Sequence, residues 1–222
     1  MLSAEVIFDT HRKQLAERVV EVVKHLHSCK LVHADIRPDH FYLVGSKWKL
    51  MDLSHARAVG EPLPPERGAQ PMCYCAPEVA ELVLRRADTA SQAGSADALP
   101  LAVLAHESLD AWGVGLTLYE LFASGGVPLF DSAKDVSHLS ALAERRATIS
   151  LGHVRPDAAR HLLQKLLLLE PNERATLDEV AHHAWLAGGM DTLELEATFS
   201  GLQSRQEAVQ RQLGRVQAGL KR

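Results

Sequence analysis

From Gln14 to Leu26, apolar residues return every three or four positions: Leu15, Val19, Val22, Val23 and Leu26. That spacing lines one face of a helix, which is predicted to end near Ser28–Lys30. The pattern then shortens. LVHADIRPDHFYLV, residues 31–44, reads as strand, polar loop and strand, and KWKLMDL, residues 47–53, as another β run. Gly45-Ser46 between the runs predicts a hairpin-like turn. VGEPLPPERGAQP, residues 59–71, reads as an irregular, exposed loop. PEVAELVLRR, residues 77–86, reads as a short helix. ADTASQAGSADALPLA, residues 87–102, is biased to Ala, Ser and Gly, and predicts an inserted flexible loop over 86–107. LDAWGVGLTLYELFASG, residues 109–125, is apolar nearly all round and predicts a buried helix. AARHLLQKLLLLEP and TLDEVAHHAWLAG, residues 158–171 and 176–188, read as two further helices, stopped by Pro171 and Gly188.

The last segment differs. Leu195, Phe199, Leu202, Gln206, Val209, Leu213, Val216 and Leu220 follow a 4-3-4-3 spacing, a heptad seam with one polar position. Gly201, Gly214 and Gly219 weaken it as a helix. Two readings stay open for residues 195–220: self-association or a partner helix through a coiled coil, and a helix folded back on its own domain.

Composition narrows the classes. A chain of 222 residues, 46% hydrophobic, can bury one real core. A formal net charge of −4 offers no general basic field for nucleic acid. Cys29, Cys73 and Cys75 build neither a disulfide framework nor a zinc site, and read as reduced thiols of a cytoplasmic protein. No apolar run approaches membrane-spanning length, and the N-terminus lacks a signal-peptide layout. His182 and His183 are neighbours on a helix and diverge, unlike the i, i+4 pair of a zinc helix. Trp112 and Trp185 read as core residues.

Five short motifs carry a resemblance. His33-Ala34-Asp35-Ile36-Arg37-Pro38-Asp39-His40 is similar to a catalytic loop of pattern H-R-D-L-x-x-x-N. LMDLSHAR, residues 50–57, resembles a D-F-G magnesium loop, and Ala76-Pro77-Glu78 matches A-P-E. Asp110, Trp112 and Gly115 match a buried D-x-W-x-x-G helix. Arg174 stands at the position of an Arg that pairs with the A-P-E Glu, and HHAWL, residues 182–186, resembles H-P-W/F with Ala184 for Pro. In this order, across Leu15 to Leu186, the motifs resemble the C-terminal lobe of a eukaryotic protein kinase. They are also similar to kinase-like domains of large algal and oomycete multidomain proteins, where a coiled-coil stretch follows.

The resemblance implies a mainly α fold: a helical bundle over 1–190 with a small β hairpin at the catalytic and magnesium loops, then a heptad helix over 191–222. It implies ATP and Mg²⁺ as cofactors and a protein hydroxyl as acceptor, serine or threonine ahead of tyrosine. Asp35 is expected to orient the attacking hydroxyl, Arg37 to stand for the Lys near the transferred phosphate, and Asp52 to hold Mg²⁺. His40 replaces an Asn that binds a second Mg²⁺. Imidazole suits that ion poorly, so His40 is expected to be a weak ligand, with Asp39 beside it as an alternative. His33, Glu78, Arg174 and Asp110 are expected to be structural: Glu78 and Arg174 as an ion pair, Asp110 as acceptor of catalytic-loop N–H groups. Leu53 and Ser54 replace Phe and Gly, with Leu53 filling the apolar slot of the Phe. Gln70-Pro71 replace Gly-Thr.

Ala34 replaces the Arg that grips an activation-loop phosphate, and 56–72 holds no Ser, Thr or Tyr. Phosphorylation is therefore not expected to switch this loop. The upper-lobe motifs, a Gly-rich loop and the V-A-I-K lysine, do not occur in the chain. The expectation is a piece of a larger kinase, inactive alone. The alternative is a pseudokinase or scaffold working through protein–protein contacts.

Overall fold

The computed structural model describes residues 4–63, 72–91, 102–123, 126–130 and 137–187. It is mainly helical. Helix α1 (Ala4–Ser28) leads to strand β1 (Leu31–Val32), the hairpin β2 (Phe41–Val44) and β3 (Lys47–Leu50), and strand β4 (Arg57–Ala58). Then come α2 (Pro77–Ser91), α3 (Glu107–Phe122), α4 (Ser137–Ala143), α5 (Asp157–Leu166), α6 (Leu177–Ala181) and α7 (Ala184–Ala187).

Helix α3 is the centre. His106 caps it, its ring accepting the Ser108 N–H at 3.2 Å. Thirteen of its sixteen residues are buried, Trp112, Val114 and Leu118 completely. Its all-round apolar sequence fits only such a position. Helix α1 lays Ala16, Val20 and Val23 into the same core, and α5 adds Leu162, Leu163 and Leu166. Leu31 pairs antiparallel with Ala58 and Phe41 with Leu50, which gives two small two-stranded sheets. Gly45 turns the hairpin at φ +64°, a conformation glycine adopts without a Cβ penalty. Met51 N–H donates to the His40 carbonyl at 2.9 Å and closes the hairpin's base. The polar loop 33–40 and Asp52 are thereby held side by side at the base of the hairpin, opposite its Gly45 turn.

Gly113 lets α3 touch this loop. A Cβ there would lie 2.7 Å from Ile36 Cβ and 2.8 Å from the Ile36 carbonyl oxygen.

Several expectations change. Helix α1 starts at Ala4, ten residues before the periodic run. Part of the span 86–107 expected as a flexible loop is regular structure, because α2 continues to Ser91. At its other end, Leu63 N–H donates to Val103 O, and Ala105 exchanges bonds with Gly60 and Glu61. The helix read over 176–188 is two helices, broken at His182-His183. His182 leaves helical geometry at φ −91°, ψ 1°, while Thr176 and Glu179 form a reciprocal capping box at the start of α6. Helix α4 carries no sequence expectation; Leu139 and Leu142 bury it. The heptad segment 195–220, Gln70-Pro71 and the middle of the Ala/Ser-rich insertion lie outside the described residues. Among the described residues, no helix is long and apolar enough to cross a membrane.

Candidate active site

The carboxylate of Asp110 organises the polar loop. It is fully buried and accepts three hydrogen bonds: from the N–H of His33 at 2.8 Å, the N–H of Ala34 at 2.7 Å, and His27 Nε2 at 2.9 Å. A buried carboxylate is costly without such partners. Two of the donors are loop amides, so α3 fixes the backbone just before Asp35. Ala34 sits at φ +65°, and this left-handed step turns the chain so that both amides face one carboxylate. His27, on α1, is a partner that sequence reading missed. It lies 83 residues from Asp110, and nothing local marks it.

His33 ties the loop to the second carboxylate-bearing turn. Its Nε2–H donates to the Met51 carbonyl at 2.9 Å, and its Nδ1 accepts the Asp35 N–H at 3.2 Å. Both bonds require the neutral Nε2–H ring. Burial pushes the pKa of His33 below the usual histidine value, in the same direction.

Asp35 is 6% exposed. Its Oδ2 lies 3.7 Å from Arg37 Nε and 3.9 Å from His40 Nδ1. Its Oδ1 has no protein partner within hydrogen-bond reach. A buried carboxylate oxygen left open in this way is an acceptor waiting for a donor from outside the chain.

Asp52 follows β3 in the left-handed region, φ 56° and ψ 66°, and caps the 3₁₀ turn Leu53–His55. Its Oδ1 accepts the Ser54 hydroxyl at 2.6 Å and the Ser54 N–H at 3.4 Å. The hydroxyl bond, more than the amide, holds the Asp52 carboxyl below its ordinary range. Its side chain is 50% exposed, and Oδ2 faces His40 Nε2 at 3.6 Å. Ser54 therefore acts as the clamp that orients this carboxylate. Its signal was present in the sequence, since Asp-x-Ser is a turn in which side chain bonds backbone two residues on.

His40 links the two carboxylates. Its Nδ1–H donates to the Asp35 carbonyl at 2.8 Å, and its Nε2 accepts Arg37 Nε–H at 3.1 Å. Arg37 Nη1 also donates to Asp39 at 3.2 Å. With both ring nitrogens engaged, His40 does not fit the weak metal-ligand role expected of it. Asp39, with 74% of its side chain exposed, is turned to Arg37. Among the described residues no group of three or more His, Cys, Asp or Glu converges as a metal site. Leu53 also departs from expectation. It is 52% exposed on the groove between α1 and the hairpin and fills no apolar slot, because the 3₁₀ turn carries it outward.

Glu78 and Arg174 meet across 96 residues in a two-pronged pair, Nη1 to Oε1 and Nη2 to Oε2, both 2.7 Å. The remaining Arg174 donors reach the carbonyls of Ser108 at 2.9 Å, Leu168 at 2.8 Å and Leu169 at 3.3 Å. The guanidinium lies 5.0 Å over the Trp112 ring. Tyr74, four residues before Glu78, donates its hydroxyl to Glu120 on α3. Burial raises the Glu120 carboxyl above its ordinary range, and the Asp39 charge adds to this.

Asp35, Arg37, His40 and Asp52 thus form one connected group. Asp110 and His33 hold it from beneath, and the Glu78–Arg174 pair anchors the segment beyond it. Such a group can take a proton from a hydroxyl at Asp35 and oppose phosphate charge at Arg37.

Known proteins are similar to this chain in sequence. The family model for the protein kinase domain matches residues 1–186. The chain is 26% identical over 184 residues to a human SNF-related serine/threonine-protein kinase, covering 81% of this chain and 21% of that protein. It is 26% identical to Aurora/IPL1-related protein kinase 2 of Caenorhabditis elegans, with 78% and 49% covered. It is 26% identical to mitogen-activated protein kinase 6 of Oryza sativa subsp. japonica, with 86% and 54% covered. The chain therefore spans about half the length, or less, of these relatives. The family match runs through the Asp35 loop, the Asp52 turn and the Glu78–Arg174 pair alike, and the chain belongs to the protein kinase domain family.

Proposed function

We propose that this chain carries the lower, phosphoryl-transferring lobe of a larger protein kinase that uses ATP and Mg²⁺, with a protein serine or threonine as acceptor. The lobe occupies residues 1–190, and residues 191–222 form a tail for self-association or a partner helix. Relatives named as serine/threonine-protein kinases support the acceptor type. The observation that carries the reading is Asp35: a buried carboxylate on a fixed loop, with Oδ1 unpartnered and Arg37 3.7 Å from Oδ2.

The residues present fit one Mg²⁺ through Asp52, whose side chain is half exposed while its Oδ1 is clamped by Ser54. They do not fit a second ion at His40. When bound, ATP and Mg²⁺ supply the phosphoryl group and neutralise its charge. Asp35 Oδ1 would accept the hydrogen bond of the incoming hydroxyl, orient its oxygen and take its proton as that oxygen displaces ADP from the transferred phosphoryl group. Arg37 places positive charge beside Asp35, where the transferred group passes. Asp110, through the amides of His33 and Ala34, keeps Asp35 from drifting, which matters because positioning supplies most of the catalysis in this chemistry.

A second reading, a scaffold without turnover, is favoured by the surface around the site. Tyr42, Leu43 and Val44 of β2, with Met51 and Leu53, are each about half exposed. Exposed apolar residues clustered on one hairpin strand and the turn that follows it mark a contact surface. In the kinase reading the upper lobe covers it; in the scaffold reading, a partner protein does.

Calorimetric titration of ATP into the chain, with and without Mg²⁺, separates the two. Mg²⁺-dependent binding that Asp52→Ala abolishes supports the enzyme. Absence of binding at millimolar ATP favours the scaffold.

A further inference from the structure

We propose that the active site is built for a single divalent cation, held by Asp52, and that the guanidinium of Arg37, docked on His40, takes the place of the second. This rests on the phosphoryl-transfer reading and adds to it how the charge of the phosphates is met.

The tautomer of His40 is fixed by its partners. The Asp35 carbonyl can only accept, so Nδ1 carries the hydrogen; Arg37 Nε–H can only donate, so Nε2 is the bare nitrogen. The lone pair a metal would need is thus occupied by a cation, and the His40 side chain is buried. Arg37 is held in turn by Asp39 at 3.2 Å and lies 3.7 Å from Asp35 Oδ2. A divalent ion on the His40 side of Asp52 would have to remove an arginine from its acceptor and then sit beside that positive charge. Like charges at such separations repel strongly where water is scarce. Mg²⁺ gains little in exchange, since imidazole is a poor ligand for a hard ion. Arginine, by contrast, keeps its charge at all working pH values and presents several donors to phosphate oxygens. The Asp35 loop therefore carries a permanent cation where a second exchangeable one would otherwise bind, and its occupancy does not depend on the free Mg²⁺ concentration.

The test uses Mn²⁺ as probe, with the whole chain and a β,γ-imido analogue of ATP. Bound ions are counted by electron paramagnetic resonance. The wild type is expected to bind one Mn²⁺ per chain, and Asp52→Ala none. His40→Asn keeps a donor for the Asp35 carbonyl, removes the acceptor of Arg37 and supplies an amide oxygen; it is expected to bind two. Two ions in the wild type, or one in a folded His40→Asn chain, overturn the single-cation proposal while the kinase reading stands. If Mn²⁺ binds to no form, the phosphoryl-transfer reading itself fails, and this proposal with it. A measurement on the wild type alone guards against a misfolded variant. Long-range nitrogen–proton spectra of the histidine rings should show the Nδ1–H form for His40, with an Nε2 resonance unmoved by Mn²⁺-free additions of Mg²⁺ and analogue. An Nε2 resonance that moves to a metal-bound position refutes the proposal.

Discussion

Removing Arg174 should cost more than removing its partner Glu78, although the two form one ion pair. Arg174 places all five N–H donors: two on Glu78, and the rest on the carbonyls of Ser108, Leu168 and Leu169. Arg174→Met leaves three carbonyls and a carboxylate without their donor and removes the cation from the Trp112 face. Breaking one side of a buried pair costs about 3–5 kcal/mol, and the stranded carbonyls place this variant at the upper end. Glu78→Gln keeps one acceptor oxygen at 78, so Arg174 retains its three carbonyl bonds, one bond to residue 78 and its ring contact. The Glu78 side chain is 14% exposed, so water can reach the vacated donor. About 2 kcal/mol follows from the loss of one charge-assisted bond. The double variant should cost less than the sum of the singles by about 1–3 kcal/mol, as expected for residues in direct contact. Urea unfolding followed by tryptophan fluorescence reads all four corners of the cycle, with Trp112 beside the change. Equal costs for the two singles, or a coupling below about 0.5 kcal/mol, would refute the claim that the carbonyls and the pair act as one unit.

Four other outcomes follow from the same structure. Gly113→Ala should destabilise by about 1–3 kcal/mol, the usual cost of overpacking, and shift the Asp35 amide resonance, because the new methyl meets Ile36; unchanged spectra would show that the loop yields freely. Ser54→Ala should return the Asp52 carboxyl toward its ordinary range, read by carboxyl carbon NMR against pH, since the hydroxyl bond is the main cause of the depression. His33 is held neutral, so its contribution to stability is complete above the usual histidine value of about 6.5 and is lost as the pH falls toward the lower folded-state value. His33→Gln should flatten that acid limb in urea midpoints, and an unchanged slope would place the titration elsewhere. Mass spectrometry should find no activity-changing phosphate on residues 56–72, which hold no hydroxyl side chain.

Periodicity made the core helices legible. Leu15 to Leu26 and the apolar run 109–125 announce α1 and α3, because burial on one face or all round leaves a mark in composition. The start of α1 was hidden, since Val6, Ile7 and Phe8 are consecutive and show no helical period. Helix α4 was hidden by its length, with two buried leucines against a polar background. The split between α6 and α7 depends on His182 leaving helical geometry, which no breaker residue announces. At the site, Asp35, Asp52, Asp110, Glu78 and Arg174 were placed by motif order. The Glu78–Arg174 pair and the loop amides on Asp110 were expected from those positions as well, whereas His27 was not: it reaches Asp110 only through the packing of α1 on α3. His40 was read from its chemistry as a poor ligand, while its occupation by Arg37 is a matter of side-chain direction that spacing does not encode.

The seating of the loop amides on Asp110 bears on how the protein comes apart. The N–H groups of His33 and Ala34 end on a fully buried carboxylate in the first turn of the most buried helix, shielded by His27. They cannot reach solvent by fraying of a surface turn; the contact between α3 and the loop must open. Their hydrogen exchange should therefore follow the slowest, global opening of the chain rather than local loop motion. Residues flanking a site that must admit a substrate are then among the last to exchange. A destabilising change far away in the core would reach Asp35 as a shorter lifetime of its correct geometry, with no gradual loosening beforehand.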